Sequence, residues 1–231
     1  MTILLSLRGR MTWMRFGIKD CANDKSSHGK FIMKEIFDRG HFQSYRIEER
    51  YFSAIEGRSA LLLEGRETTG KTKVFLSHKH DDLEDLKGLI GFLERDCNVV
   101  VYIDSMDKEM PSKTCGKTAM RIKQIIQSCD KFVLLATDLA VESKWCNWEL
   151  GFGDAHKFRD NIAIFPVKDK GVSEEDYKGH EYMSIYPLIL YYDGTEKYYT
   201  GEPVKAGYYY GYKNELGRYI ITPLEEWLSK K

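Results

Sequence analysis

From residue 74 onward, short unbroken apolar runs alternate with stretches in which apolar residues recur every three or four positions. Residues 74–77 form the first run, suited to a strand buried on both faces. Leu83, Leu86, Ile90 and Leu93 then recur at helical spacing. Residues 98–103 give a second strand, ending at Asp104, and residues 106–114 are polar, contain Pro111 and read as a loop. Ala119, Ile122, Ile125, Ile126 and Cys129 mark an amphipathic helix before a third strand at 131–136. Ser143 is placed to cap a helix carrying Trp145, Trp148, Glu149 and Phe152. A fourth strand follows at 161–167 and a fifth at 187–192. Strands alternating with helices predict an open parallel sheet covered on both faces, with its ligand site beyond the carboxyl ends of the strands.

The two ends of the chain are less regular. Residues 23–29 read as a loop, 31–37 as a short helix, 42–54 as an aromatic–polar alternation and 59–64 as a strand. Residues 1–70 are therefore expected to form a small α+β appendage to a domain spanning 71–231. Toward the other end, 12 of the 15 tyrosines fall between Tyr177 and Tyr219. Asp193 and Gly194 signal a hairpin with 197–199 as its return, and 220–228 reads as a closing helix with Pro223 in its first turn. The tyrosines are expected to pack as a core, with an adenine-stacking surface as the alternative.

Composition narrows the function. Lys+Arg and Asp+Glu both number 35, so no chain-wide basic field for nucleic acid exists. No apolar run approaches the ~20 residues that span a bilayer. The apolar start, residues 1–7, is cut off by Arg8 and Arg10 and lacks the order of a secretory signal. Five cysteines, with no close pair, fit free thiols in a reducing cytoplasm.

Three motifs compete. Gly65, Gly70, Lys71 and Thr72 match the phosphate-binding pattern G-x4-G-K-[ST], but the run after them reads as a strand. A phosphate loop needs a helix N-terminus there, so a connector is the better reading. His78, His80 and Asp82 have the residue types of a zinc site, but position 83 is Leu and the other histidines show no partner spacing. A polar loop with Asp81 or Asp82 capping the next helix is preferred, and no metal is expected. Trp145 and Glu149 stand four apart and share a helix face. A carboxylate beside indole rings is partly desolvated and suited to holding a raised pKa or recognising a polar group through hydrogen bonds; an aromatic core helix with an exposed Glu149 is the alternative.

Residues 73–78 with Asp81, residues 101–104 before the Pro111 loop, and above all the S-x-W-C-x-x-E-L stretch from Ser143 to Leu150 together resemble a TIR (Toll/interleukin-1 receptor) domain. The resemblance runs from about Lys73 to the C-terminus and leaves residues 1–70 outside. It implies a flavodoxin-like sheet of five parallel strands, and either of two trades: cleavage of NAD+ or non-enzymatic signalling as an adaptor or scaffold. In the NAD+-cleaving branch the Glu of the W-C-x-x-E motif is catalytic, which here is Glu149. Ser77, His78, Lys79, Asp104 and Trp145 would line the substrate site, with NAD+ as substrate and no separate cofactor. The resemblance further implies self-association through TIR surfaces. An NAD+-cleaving Thoeris-like antiphage component would pass a cyclic ADP-ribose product to a separate effector.

Overall fold

The computed structural model describes residues 19–20, 33–65, 70–104, 116–157, 159–198 and 200–230. The 23–29 loop, the Pro111 loop, the apolar start and residues 66–69 of the Gly65–Thr72 motif lie outside them.

The chain opens with β1 (Lys19–Asp20), β2 (Met33–Lys34) and β3 (Phe37–Asp38), a 3-10 turn at Gln43–Tyr45, and α1 (Glu49–Leu63). There follow β4 (Lys73–Ser77), a 3-10 turn at His80–Asp82, α2 (Leu83–Asp96), β5 (Val100–Tyr102) and α3 (Gly116–Ser128). Next come β6 (Lys131–Thr137), α4 (Asp138–Val141), α5 (Lys144–Lys157), β7 (Ile162–Lys168), α6 (His180–Ile185) and β8 (Leu188–Tyr192). The chain ends in β9 (Gly207–Lys213), β10 (Tyr219–Pro223) and α7 (Leu224–Ser229).

The expected five parallel strands are present, in the order β5-β4-β6-β7-β8. This is the flavodoxin-like order. Burial on both faces explains their unbroken apolar runs. Phe75, Phe132, Leu134, Ile162 and Ile164 point into one core beneath α3 and α5. Val74, Leu76, Val133, Leu135 and Phe165 point into the other, with Leu86, Ile90 and Leu93 of α2 and Trp227 of α7. No described helix is long and apolar enough to cross a membrane.

The sheet does not stop at five strands. β9, β10 and β1 add antiparallel to β8, in that order. Gly194 turns the chain at φ +94°, as expected, but the returning strand is Gly207–Lys213 rather than 197–199. Residues 219–223 are strand rather than helix. Tyr219 and Ile221 are buried while Ile220 and Thr222 are half-exposed, a period of two, and α7 starts only after Pro223. The tyrosines pack as expected: Tyr177, Tyr192, Tyr209, Tyr210 and Tyr219 are buried. Tyr210 stacks on Trp227 with ring centroids 4.7 Å apart.

Residues 33–63 hold both strands and a helix, but not those expected. Residues 33–34 and 37–38 are strands rather than a helix, because the sheet offers them a place. β7 and β8 pair only at Ile164–Leu188. Beyond that point they part, and β2 pairs with Tyr191 and Tyr192 while β3 pairs with Val167 and Lys168. The segment is thus wedged into a fork between two parallel strands. Phe37, fully buried, stacks on Phe165 at 4.5 Å. The 3-10 turn then lies on α2 at two glycines: a Cβ on Gly88 would stand 2.7 Å from the Phe42 carbonyl oxygen, and one on Gly91 2.0 Å from that of Tyr45. Residues 59–63, expected as strand, are the last turns of α1. Phe52, Ile55, Ser59 and Leu62 bury one helical face. That helix covers the outer edge of β5: Arg58 and Ser59 donate to the carbonyls of Val101 and Ile103 at 3.1 and 3.0 Å, and Glu94 of α2 accepts the Val101 N–H at 2.9 Å. The edge strand's outward backbone groups are thereby occupied, which blocks pairing with another chain.

Asp38, at the mouth of the fork, accepts from Lys168 at 2.7 Å and Lys34 at 2.9 Å. Those two ammonium groups hold its carboxyl down to about 2. A carboxyl lowered in the folded state contributes stability above its ordinary pKa and loses it as pH falls through the folded one. Asp38 is 42% exposed, so solvent screening limits the contribution to about 1 kcal/mol or less. Asp38→Asn is expected to lower the urea midpoint at neutral pH and to make the loss of stability between about pH 4 and 2 shallower than in wild type.

Candidate active site

The site is built at the carboxyl ends of the parallel strands. β4 ends on Ser77, which is 1% exposed, and its Oγ donates to Oε2 of Glu149 at 2.5 Å. Glu149 comes from the second turn of α5 and is itself 2% exposed. Burying a carboxyl group costs several kcal/mol unless it is hydrogen-bonded, and the Ser77 contact satisfies one of its oxygens. A second contact fixes the helix against the strand end: the Cys146 thiol donates to the His78 carbonyl at 3.3 Å. Cys146 is 1% exposed and His78 6%.

Trp145 lies one turn before Glu149. Its ring is half-buried and packs on Trp148 with centroids 4.7 Å apart. Its Nε1–H is buried and has no hydrogen-bond partner among the described residues. A buried donor left in this way is an exception to the usual pairing of buried polar groups and marks the position for attention. Lys79, half-buried and extended, leads into the His80–Asp82 turn. Asp104, 8% exposed, stands two residues past β5, the neighbour of β4. Direct contacts thus join Ser77 to Glu149 and His78 to Cys146, while Lys79, Asp104 and Trp145 flank them by position.

Ser143 begins α5 as expected, its Oγ accepting from the Cys146 N–H at 3.4 Å. The Gly65 motif is preceded by a helix and followed by β4, the reverse of what a phosphate loop requires. Among the described residues, no group of three or more His, Cys, Asp or Glu side chains is arranged to hold a metal ion.

Asp82 departs from its expected role. It stands at the N-cap position of α2 without capping it. Its side chain, fully buried, instead accepts from Thr137 Oγ1 at 2.5 Å and from Arg39 Nη2 at 2.7 Å. Burial pushes its carboxyl above the usual range, and Thr137 and Arg39 oppose that rise. Thr137 was legible as a strand end, whereas no spacing in the sequence marks Arg39.

A parallel five-stranded sheet in this order, with a buried Ser–Glu pair at its carboxyl edge and the W-C-x-x-E motif on the following helix, has a counterpart among known families. The TIR domain model matches residues 74–195, more than half of the chain, and the protein belongs to that family. Among curated proteins, the chain is 31% identical over 153 residues to the probable 3' cyclic ADP-D-ribose synthase ThsB' of Bacillus cereus (strain MSX-D12). The match covers 63% of this chain and 77% of that protein.

Proposed function

We propose that the protein is an NAD+-cleaving TIR enzyme that releases nicotinamide and closes the remaining ADP-ribose into a cyclic signal for antiviral defence. The observation that carries this reading is the buried Glu149 carboxylate, held by Ser77 at 2.5 Å at the carboxyl edge of the sheet. The similarity to a probable cyclic ADP-D-ribose synthase supports the cyclic product over ADP-ribose.

The chemistry asks little acid catalysis of the protein. Nicotinamide leaves C1 of the ribose as a neutral molecule, so no group need protonate it. The sugar passes through an oxocarbenium-like state, as at other glycosidic centres. Glu149 accepts hydrogen bonds from the ribose hydroxyls and stabilises the positive ring, in a site dry enough to strengthen that interaction. Ser77 fixes the carboxylate. Trp145 packs against nicotinamide or ribose and offers its indole N–H, while His78, Lys79 and Asp104 line the approach. A hydroxyl of the same molecule then attacks C1 and gives up its proton, so that NAD+ becomes nicotinamide, a cyclic ADP-ribose and one proton. Attack by water instead would yield ADP-ribose.

The same reading puts the protein in the cytoplasm, where Cys97, Cys129 and Cys146, none of them in a disulfide, remain reduced. Copies self-associate through TIR surfaces, and a separate effector senses the product. Chromatography of products from the full chain with NAD+, at dilute and at high protein concentration, tests the assignment. Nicotinamide with a cyclic co-product is expected. Nicotinamide with ADP-ribose would make it a hydrolase, and no nicotinamide at any concentration would return the chain to the adaptor class.

A further inference from the structure

We propose that Arg39, which lies before the segment matched by the family model, is a positioning residue for the catalytic centre: through Asp82 it sets both the loop after Ser77 and the helix that carries Glu149. The proposal rests on reading the Ser77–Glu149 pair as an NAD+-cleaving site.

Asp82 is where two pieces of the site meet. On one side it closes the turn that begins three residues after Ser77. On the other, its Oδ2 accepts from Thr137 Oγ1 at 2.5 Å. Thr137 is the fully buried last residue of β6, and its Oγ1 also accepts the Ala140 N–H at 3.0 Å, capping α4. Two residues separate α4 from α5. One buried carboxylate therefore fixes the loop that holds Ser77 and, through Thr137, the entry angle of the helix that holds Glu149.

A buried carboxylate in that role needs a cation, and among the described residues Arg39 is the one paired with it. The guanidinium is divided three ways. Nη2 reaches Asp82 at 2.7 Å, Nη1 reaches Asp85 of α2 at 2.9 Å, and Nε reaches Asp169 just past β7. The following Gly40 N–H also donates to Asp85, at 2.6 Å. A planar fork of five donors can serve three acceptors at once; an ammonium point charge cannot hold this geometry. Without Arg39, Asp82 would be left buried and facing the like charge of Asp85. It would then turn toward water and lose the Thr137 link, or take up a proton and hold Thr137 only as a weaker, neutral acceptor.

Wild type, Arg39→Met, Arg39→Lys and Arg39→Met/Asp82→Asn are compared as full chains. The readouts are kcat and KM for nicotinamide release and amide hydrogen exchange over residues 78–85 and 138–150. Arg39→Met is expected to lower kcat and kcat/KM together by ~10²-fold, the cost of a displacement of about 1 Å in a positioned group. Exchange should quicken in both segments. The double variant removes the stranded charge and keeps an acceptor for Thr137, so it should recover most of the rate, with Arg39→Lys falling between. Arg39→Met with wild-type kcat, a double variant no better than the single, or faster exchange confined to residues 33–46 would each overturn the proposal. Should Arg39→Met fail to fold, a folded and active double variant supports it and an unfolded or inactive one overturns it. If wild type releases no nicotinamide, the enzymatic reading fails by itself, and coupled exchange in the two segments still decides whether Arg39 governs both.

Discussion

Glu149→Ala lowers the rate of nicotinamide release by ~10²-fold or more, the scale set by removing a preorganised electrostatic group from a dry site. Its melting temperature stays level or rises. The lost carboxylate is 2% exposed and costs desolvation energy in the folded state. What remains is a Ser77 hydroxyl without its acceptor, a smaller penalty than a buried charge. Opposite signs for activity and stability mark a group kept for function. Glu149→Gln sharpens the point: it retains an acceptor for Ser77 and loses the negative charge, so turnover falls while stability holds. Initial rates and thermal melts of the three proteins check both halves. A Glu149→Ala enzyme within threefold of wild type would remove Glu149 from the chemistry.

Gly91→Ala is expected to be the most damaging single methyl in the described fold. On an open helix surface, Gly→Ala gains up to ~1 kcal/mol from helix propensity. At Gly91 the new Cβ would meet the backbone oxygen of Tyr45 at 2.0 Å, an atom that no rotamer change can move. The 3-10 turn must lift from α2, disturbing the stack of Phe42 on Phe92 at 4.5 Å. Overpacking of this kind costs ~1–3 kcal/mol or more. At ~2–4 °C per kcal/mol for a chain of this size, the melting temperature should drop by several degrees. Gly57→Ala in α1 is the control, since nothing lies within 4 Å of its added Cβ. Calorimetric melts should show Gly57→Ala level or stabilised and Gly91→Ala clearly lowered.

The five parallel strands were legible because a strand buried on both faces must be apolar along its length. The S-x-W-C-x-x-E-L stretch was legible because its residues lie on one helix and carry their spacing with them. The N-terminal elements were not, because their partners are remote. Residues 33–38 are strand only because β7 and β8 leave a fork for them. Residues 59–63 resembled a strand locally, although Phe52, Ile55, Ser59 and Leu62 already stood at helical intervals across the wider window. Local composition puts Asp81 or Asp82 at the start of a helix, but the Asp82 side chain answers to Thr137 and Arg39, 55 and 43 residues away. Pairings of that range leave no periodicity to read.

The fork also orders events during synthesis. Residues 33–38 leave the ribosome early, yet their partners on β7 and β8 come much later: Asp38 waits for Lys168, 130 residues downstream. Until then the segment presents apolar side chains and unpaired backbone to the cell, the condition under which nascent chains aggregate. The parallel core can assemble in the meantime from strands closer together in sequence, leaving insertion of the wedge as a late, slow, long-range step. Since Arg39 follows the wedge directly, the centre would be complete only after the last strand that frames the fork has been made. Nascent or truncated chains ending before Tyr192 would then lack an assembled centre.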